Sequence, residues 1–141
     1  MAAKGIHHIA LTVNNWVVSK PFYQGLAKAL GAEVLIENRG HPHRREDGQV
    51  LIFSGDGFMF SVWEAYAEHR NNKFIDYNIG LHHFAFQAES RQAVDDLYET
   101  VKKLGAEIVN PPQEYDYVPG YYAVFFRDPE GIRLEYVYIP S

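Results

Sequence analysis

Two stretches decide the reading of this chain: Gly5-Ile6-His7-His8-Ile9-Ala10-Leu11-Thr12-Val13 and Gly80-Leu81-His82-His83-Phe84-Ala85-Phe86-Gln87-Ala88. They align at an offset of 75 residues. Two further pairs follow in the same order at an offset of 74: Leu30-Gly31-Ala32-Glu33-Val34 with Leu104-Gly105-Ala106-Glu107-Ile108, and Gly57-Phe58-Met59-Phe60-Ser61 with Gly131-Ile132-Arg133-Leu134-Glu135. Self-similarity at a fixed period points to duplicated architecture. The chain therefore divides into halves of about 1–74 and 75–141, with the polar stretch 65–79 joining them.

Each half carries the same pattern of elements. Residues 6–13 alternate apolar and polar, as a half-buried strand does. A helix is expected from about Ser19, with Pro21 in its first turn, Phe22, Leu26 and Leu30 on its buried stripe, and Gly31 closing it. Strands fit near 33–38, 49–54 and 58–64. In the second half a strand covers 81–88, and Ser90 caps a helix with Val94, Leu97, Val101 and Leu104 on its apolar stripe. Strands then fit near 106–109, 121–127 and 132–139, with Asp128-Pro129-Glu130-Gly131 as the turn between the last two. The fold class expected is α+β, two βαβββ modules forming a curved mixed sheet, a cup, with helices outside.

Composition sets the outer bounds. A chain of 141 residues suits one compact domain. Hydrophobic residues at 47 % and charged residues at 22 % describe an ordinary globular chain. Ten Tyr and nine Phe are enough to fill a core and still line a pocket. The formal net charge of −5 argues against nucleic acid as a partner. With no Cys, any metal must be held by His, carboxylate or water. The N-terminus lacks a secretory apolar core, and no apolar run approaches membrane-spanning length, so a cytoplasmic protein without membrane contact is expected.

Strand parity turns the repeat into a site. Side chains alternate faces along a strand. If Ile9, Leu11 and Val13 pack on the helices, His8, Ala10 and Thr12 face the other way. By the same rule Phe84 and Phe86 face a helix and His83 does not. In the last strand Ile132, Leu134 and Tyr136 take the helix side, leaving Arg133, Glu135 and Val137 opposite. His8, His83 and Glu135 are thereby predicted to share one face. Two imidazoles and a carboxylate suit Zn, Ni, Mn or Fe, and three protein ligands leave positions open for water or substrate. The first-half equivalent of Glu135 is Ser61, a poor ligand, and Glu64 has the opposite parity.

The carriers of a family resemblance are His8-Ile9-Ala10-Leu11-Thr12-Val13, Phe22-Tyr23 ahead of Leu30-Gly31, Gly80-Leu81-His82-His83-Phe84-Ala85, and Phe126-Arg127-Asp128-Pro129-Glu130-Gly131-Ile132-Arg133-Leu134-Glu135. In these the chain resembles the vicinal oxygen chelate superfamily. That group includes glyoxalase I, extradiol dioxygenases, fosfomycin-resistance proteins, methylmalonyl-CoA epimerase and bleomycin-resistance proteins. The resemblance covers nearly the whole chain. It implies paired βαβββ modules, a metal inside a cup of strands, and an enolate or oxyanion stabilised on that metal. Glyoxalase I and the epimerase use a fourth ligand where this chain has Ser61. A two-His, one-carboxylate set is more like the dioxygenases or fosfomycin-modifying transferases. Pairing of modules in the superfamily also implies a homodimer.

Each candidate has a plainer reading beside it. Taken singly, His8 or His83 is an ordinary sheet histidine; their equivalence across the repeat, with Glu135 in phase, favours ligands. His7 or His82 takes the role if the register slips by one. Arg133 pairs with a substrate anion or simply with a protein carboxylate. Among Tyr115, Tyr117, Tyr121 and Tyr122, Tyr122 is taken as the substrate-binding phenol. Ser61, Trp63 and Met59 share the cup-facing parity, with Trp63 and Ser61 as substrate-binding candidates and core packing as the alternative for the larger two. Glu135 and Glu64 are the catalytic carboxylate candidates. The stretch 37–48, with His41, His43, Arg44 and Arg45, is a candidate lid or a solvated loop.

The expected function is a metal-dependent lyase, isomerase, transferase or dioxygenase. One divalent cation would act as Lewis acid on a small oxygen-rich substrate. The alternative is a metal-free protein that sequesters a small molecule, as bleomycin-resistance proteins do. A third reading makes the paired histidines structural and the protein a scaffold.

Overall fold

The computed structural model describes residues 1–39 and 48–141, so the candidate lid residues His41, His43, Arg44 and Arg45 lie outside the described residues. The chain forms two compact units, Met1–Asn72 and Lys73–Ser141. No helix among the described residues is long and apolar enough to cross a membrane.

The first unit runs β1 (Ile9–Val13), α1 (Trp16–Ala29), β2 (Glu33–Arg39), β3 (Gln49–Gly55) and β4 (Phe58–Glu64). A short 3-10 turn, Ala67–His69, follows. The sheet order is β1-β4-β3-β2; β1 and β4 are parallel and the other neighbours antiparallel. The second unit repeats this with β5 (Phe84–Gln87), α2 (Arg91–Lys103), β6 (Glu107–Glu114), β7 (Tyr122–Arg127) and β8 (Arg133–Tyr138). Its order is β5-β8-β7-β6, with β5 and β8 parallel. Both units are thus βαβββ modules, as the duplicated sequence predicts.

In β1 and β5 the alternation read from sequence is the alternation of burial. Leu11 and Val13 of β1 are buried with Phe60 and Val62 of β4 and Phe22, Tyr23 and Leu26 of α1. The Tyr23 ring lies 6.3 Å from that of Phe60, which marks this as the helix-facing side. In the second unit Phe84, Phe86, Leu134 and Phe126 are buried with Val94, Leu97 and Val101 of α2. Burying such apolar faces supplies the main drive for folding.

The ends of the helices repeat as well. Gly31 and Gly105 follow the two helices with φ of +71° and +84°, the left-handed geometry that ends a helix most easily at glycine. Ser90 caps α2 as expected, its Oγ accepting from the Ala93 N–H at 3.0 Å.

Four elements differ from expectation by three residues or more at one end. Helix α1 starts at Trp16, three residues early, and contains Pro21 beyond its first turn. The exposed Val17 and Val18 hid that start, because they do not extend the apolar stripe. Strand β6 runs through Pro111-Pro112 to Glu114. It is an edge strand, where a missing N–H costs no ladder bond, and its register shifts at Ile108/Asn110 and Asn110/Gln113 absorb the prolines. The first strand of each unit begins at Ile9 and Phe84, so His8 and His83 each lie one residue ahead of a strand.

Candidate active site

The turn after β7 places the carboxylate. The buried Asp128 side chain accepts from the N–H groups of Glu130 and Ile132 at 2.9 and 2.8 Å. The Asp128 N–H donates to the Ile132 carbonyl at 3.0 Å. These bonds lock the hairpin register, in which Phe125 stands opposite Glu135 and Ala85 lies on its other side. Glu135 therefore projects from the sheet face opposite α2, among Ala123, Phe125 and Val137.

Glu135 is only 2 % exposed. A carboxylate so buried is costly unless partnered. Its Oε2 faces the His83 Nε2 at 3.1 Å, and its Oε1 accepts from the Tyr121 hydroxyl. The described structure gives it no Lys or Arg partner. Burial, and then the bond to Glu135, push the Tyr121 phenol well above the usual tyrosine range, so it remains a proton donor at neutral pH. Burial likewise raises Tyr115, whose ring meets Phe125 at 5.4 Å.

His83 packs its ring edge on Phe125 at 5.7 Å. Its Nδ1 meets that of His82 at 2.6 Å, so one ring donates and the other accepts. The first unit repeats this contact between His7 and His8, Nδ1 to Nδ1, at 2.9 Å. Arg133 lies on the Glu135 face with its guanidinium 4.9 Å from the Phe125 ring centre.

Tyr122 requires a correction. Its hydroxyl donates to Asp95 of α2 at 2.7 Å, and Arg91 lies over its ring at 4.1 Å, so it faces the helix. The phenol beside Glu135 is Tyr121. The signal for it was present in the parity rule: a hairpin that pairs Phe125 with Glu135 puts residues 121, 123 and 125 on one face. Sequence reasoning also missed Phe125, on which His83 and Arg133 both pack, and Asp76, which pairs with Arg133 from the segment read only as a linker.

In the first unit Ser61 occupies the rung equivalent to Glu135, beside Ala10 of β1. It is buried and accepts from the Trp63 indole N–H at 2.8 Å. Glu64 accepts from the Gln49 N–H at 3.1 Å and from Arg70 at 3.0 Å. Thr12, Trp63, Glu64, Ala65, Tyr66 and His69 line a cavity of about 380 Å³.

Among the described residues no set of three or more His, Asp and Glu groups is gathered closely enough to hold a metal ion. The His83–Glu135 pair nonetheless has the right chemistry and spacing for two ligands of one cation. Two donors each about 2.1 Å from a metal, at angles between a right angle and the tetrahedral one, stand about 3.0 to 3.4 Å apart. The observed separation is 3.1 Å.

The duplicated βαβββ fold defines a class, and comparison with known proteins agrees. Residues 5–136 match the model of the Glyoxalase/Bleomycin resistance protein/Dioxygenase superfamily, and the chain belongs to that superfamily. It is similar to the uncharacterized protein YqjT of Bacillus subtilis (strain 168), 26 % identical over 133 residues, which span 94 % of this chain and 97 % of YqjT. Among solved structures it resembles a glyoxylase/bleomycin resistance protein/dioxygenase domain from Frankia sp. EAN1pec, with TM-score 0.79, 26 % identity, and coverage of 99 % of this chain and 95 % of the other. It also shares its fold with the fosfomycin resistance protein FosX of Listeria monocytogenes, with TM-score 0.67, 23 % identity, and coverage of 99 % and 96 %.

Proposed function

We propose that the protein holds a divalent cation through His83 and Glu135, with His8 the third ligand expected from the sequence. On this reading the protein is a metal-dependent lyase, isomerase, transferase or dioxygenase acting on a small oxygen-rich metabolite. The observation that carries it is the buried Glu135 carboxylate, one oxygen facing the His83 Nε2 at 3.1 Å. Zn, Ni, Mn or Fe fits two imidazoles and one carboxylate. Bound there, the cation would supply Lewis-acid polarisation of a substrate oxygen.

The chain's own residues prepare that site. Tyr121 occupies Oε1 of Glu135 and leaves Oε2 toward His83, the orienting role that outer groups play for metal ligands. Phe125 fixes the plane of the His83 ring. Arg133, and Trp63 with Ser61 in the first unit, are assigned to substrate contact. Glu64, held by Arg70 and the Gln49 N–H, is the weaker candidate for a proton-transferring group. A cytoplasmic homodimer belongs to the same reading, and sedimentation of the purified protein tests its assembly.

The test is metal stoichiometry. Purified protein should take up one divalent ion per chain, measured by elemental analysis and calorimetric titration. His8→Ala, His83→Ala and Glu135→Ala should each weaken uptake by about 100-fold or more, since loss of even an outer partner of a metal ligand costs ten- to 100-fold. Wild-type protein that takes up no ion, or variants that bind it as well as wild type, would defeat the proposal.

The cavity in the first unit favours a second reading, a metal-free binder of a flat ligand between Trp63 and Tyr66. It requires Glu135→Ala to retain ligand binding in chelator-treated protein.

A further inference from the structure

Arg127 and Arg133 stand directly opposite each other across β7 and β8. Like charges in that position repel. Asp76 lies with both: its Oδ2 accepts from the Arg127 Nη2 at 3.0 Å and is 3.7 Å from the Arg133 Nη1. The Arg127 hydrogen bond holds the Asp76 carboxyl below its usual range. Arg127 also donates to the Gly131 carbonyl at 3.0 Å, which makes it part of the hairpin turn. Its further approach to Glu107, at 4.0 Å, is to an exposed carboxylate.

Arg133 is differently placed. Its side chain is 15 % exposed, yet its Nε is buried with no hydrogen-bond partner. Its carboxylate partner is Asp76, at ion-pair rather than hydrogen-bond distance. A guanidinium offers five N–H donors in a flat fork. Leaving the Nε donor buried and unmatched is costly, and neither the Asp76 ion pair nor the Phe125 ring supplies it a hydrogen bond. The guanidinium lies over Phe125, the same ring on which His83 packs, so the unmet donor shares the face of the His83–Glu135 pair.

We infer that Arg133 is the receptor for a carboxylate group of the substrate. Arg133 shares Asp76 with Arg127, so Asp76 alone does not cancel its charge, which suits a monoanion. A planar carboxylate fits the flat edge of a guanidinium through two parallel hydrogen bonds. The aromatic rings of Phe125 and Tyr115 would flank the body of the ligand. The proposed metabolite is thus a small carboxylic acid with a further oxygen, anchored at Arg133 while that oxygen faces the His83–Glu135 pair. This rests on the metal-site reading for its chemistry, but the anion contact is separately measurable.

The test uses benzoate as probe, with benzamide as its uncharged counterpart and inorganic phosphate as a competing anion. Arginine Nε–H signals of isotopically labelled protein are followed by nuclear magnetic resonance, and the Arg133 signal is identified by its loss in Arg133→Lys. Benzoate should shift that signal saturably in the millimolar range, and benzamide should not. Arg133→Met should weaken benzoate binding by about tenfold or more, as expected for loss of a charge-assisted pair. Metal uptake should survive in Arg133→Lys. No saturable shift, an equal response to benzamide, or tighter binding of phosphate than of benzoate would each overturn the carboxylate assignment, and the wild-type titrations decide this even if Arg133→Met folds poorly. A wild-type protein that binds benzoate at Arg133 but takes up no metal would sustain this inference and defeat the metal proposal.

Discussion

The same rung of the same sheet carries Ser61 in the first unit and Glu135 in the second. Both are buried, and both lie beside an alanine of the parallel neighbour strand, Ala10 or Ala85. Around Ser61 the need is met locally, by the Trp63 indole two residues away. Around Glu135 it is met from a distance in sequence, by Tyr121 and by His83, 52 positions earlier. Duplication supplied two equivalent positions, and the chemistry has been concentrated at one of them. A neutral hydroxyl can be satisfied by a neighbour; a buried carboxylate needs several partners, and it has recruited a strand, a hairpin and a histidine.

The largest effect separating the two rungs concerns metal. Glu135→Ala should abolish stoichiometric uptake, while Ser61→Ala should leave it within about twofold of wild type, because a serine hydroxyl contributes little as a ligand. Equal losses in calorimetric titration would erase the asymmetry. The next is the converse graft. Ser61→Glu puts a carboxylate on a rung whose equivalent of His83, His8, is exposed, and chelator-treated protein should lose about 3 kcal/mol, the scale of an uncompensated buried charge. Adding Zn or Ni should recover much of that loss if the new carboxylate reaches the proposed ion. Urea denaturation with and without metal measures both.

Tyr121→Phe removes one partner of Glu135 and keeps the ring. It should cost about 2 kcal/mol, the range for a hydrogen bond to a charged group. Its pH dependence follows from the raised phenol. A folded-state pKa above the unfolded value, about 10, means the stability is fully present below that pH and is lost as pH rises above it. Wild type should therefore lose stability above about pH 10, and Tyr121→Phe should lose less. Identical alkaline melting curves for the two proteins would show that the phenol is not held in this way.

Much of this was legible in the residues. The paired segments around His8 and His83 announced the duplication, and the alternation through Leu134, Glu135 and Tyr136 placed the carboxylate on the face away from the helix. That inference survives single errors because a period-2 pattern is anchored by several apolar side chains at once. What escaped was not periodic. Tyr121 and Tyr122, adjacent in sequence, look alike until the hairpin register assigns their faces. Asp76 lies in a polar stretch with no pattern to read, and its pairing with Arg133 spans 57 positions. The expected strands 6–13 and 81–88 run past the observed starts at Ile9 and Phe84 because alternation in sequence continues into residues that form no ladder pairs.

The two helices offer the smallest and cleanest contrast between the units. Helix α2 begins at a serine whose Oγ accepts the Ala93 N–H, while α1 begins at Asn15 with no such side-chain bond. The first turn of a helix leaves its N–H groups without intrahelical partners, so a cap matters most where nothing else meets them. Ser90→Ala should cost about 1 kcal/mol, the usual range for a lost cap, and should leave metal uptake unchanged because the helix packs on the opposite face from Glu135. Chemical denaturation should show a lower midpoint with an unchanged slope, since the surface exposed on unfolding is the same. A changed slope, or a loss of metal affinity in step with the loss of stability, would mean that the face carrying Glu135 depends on how α2 starts.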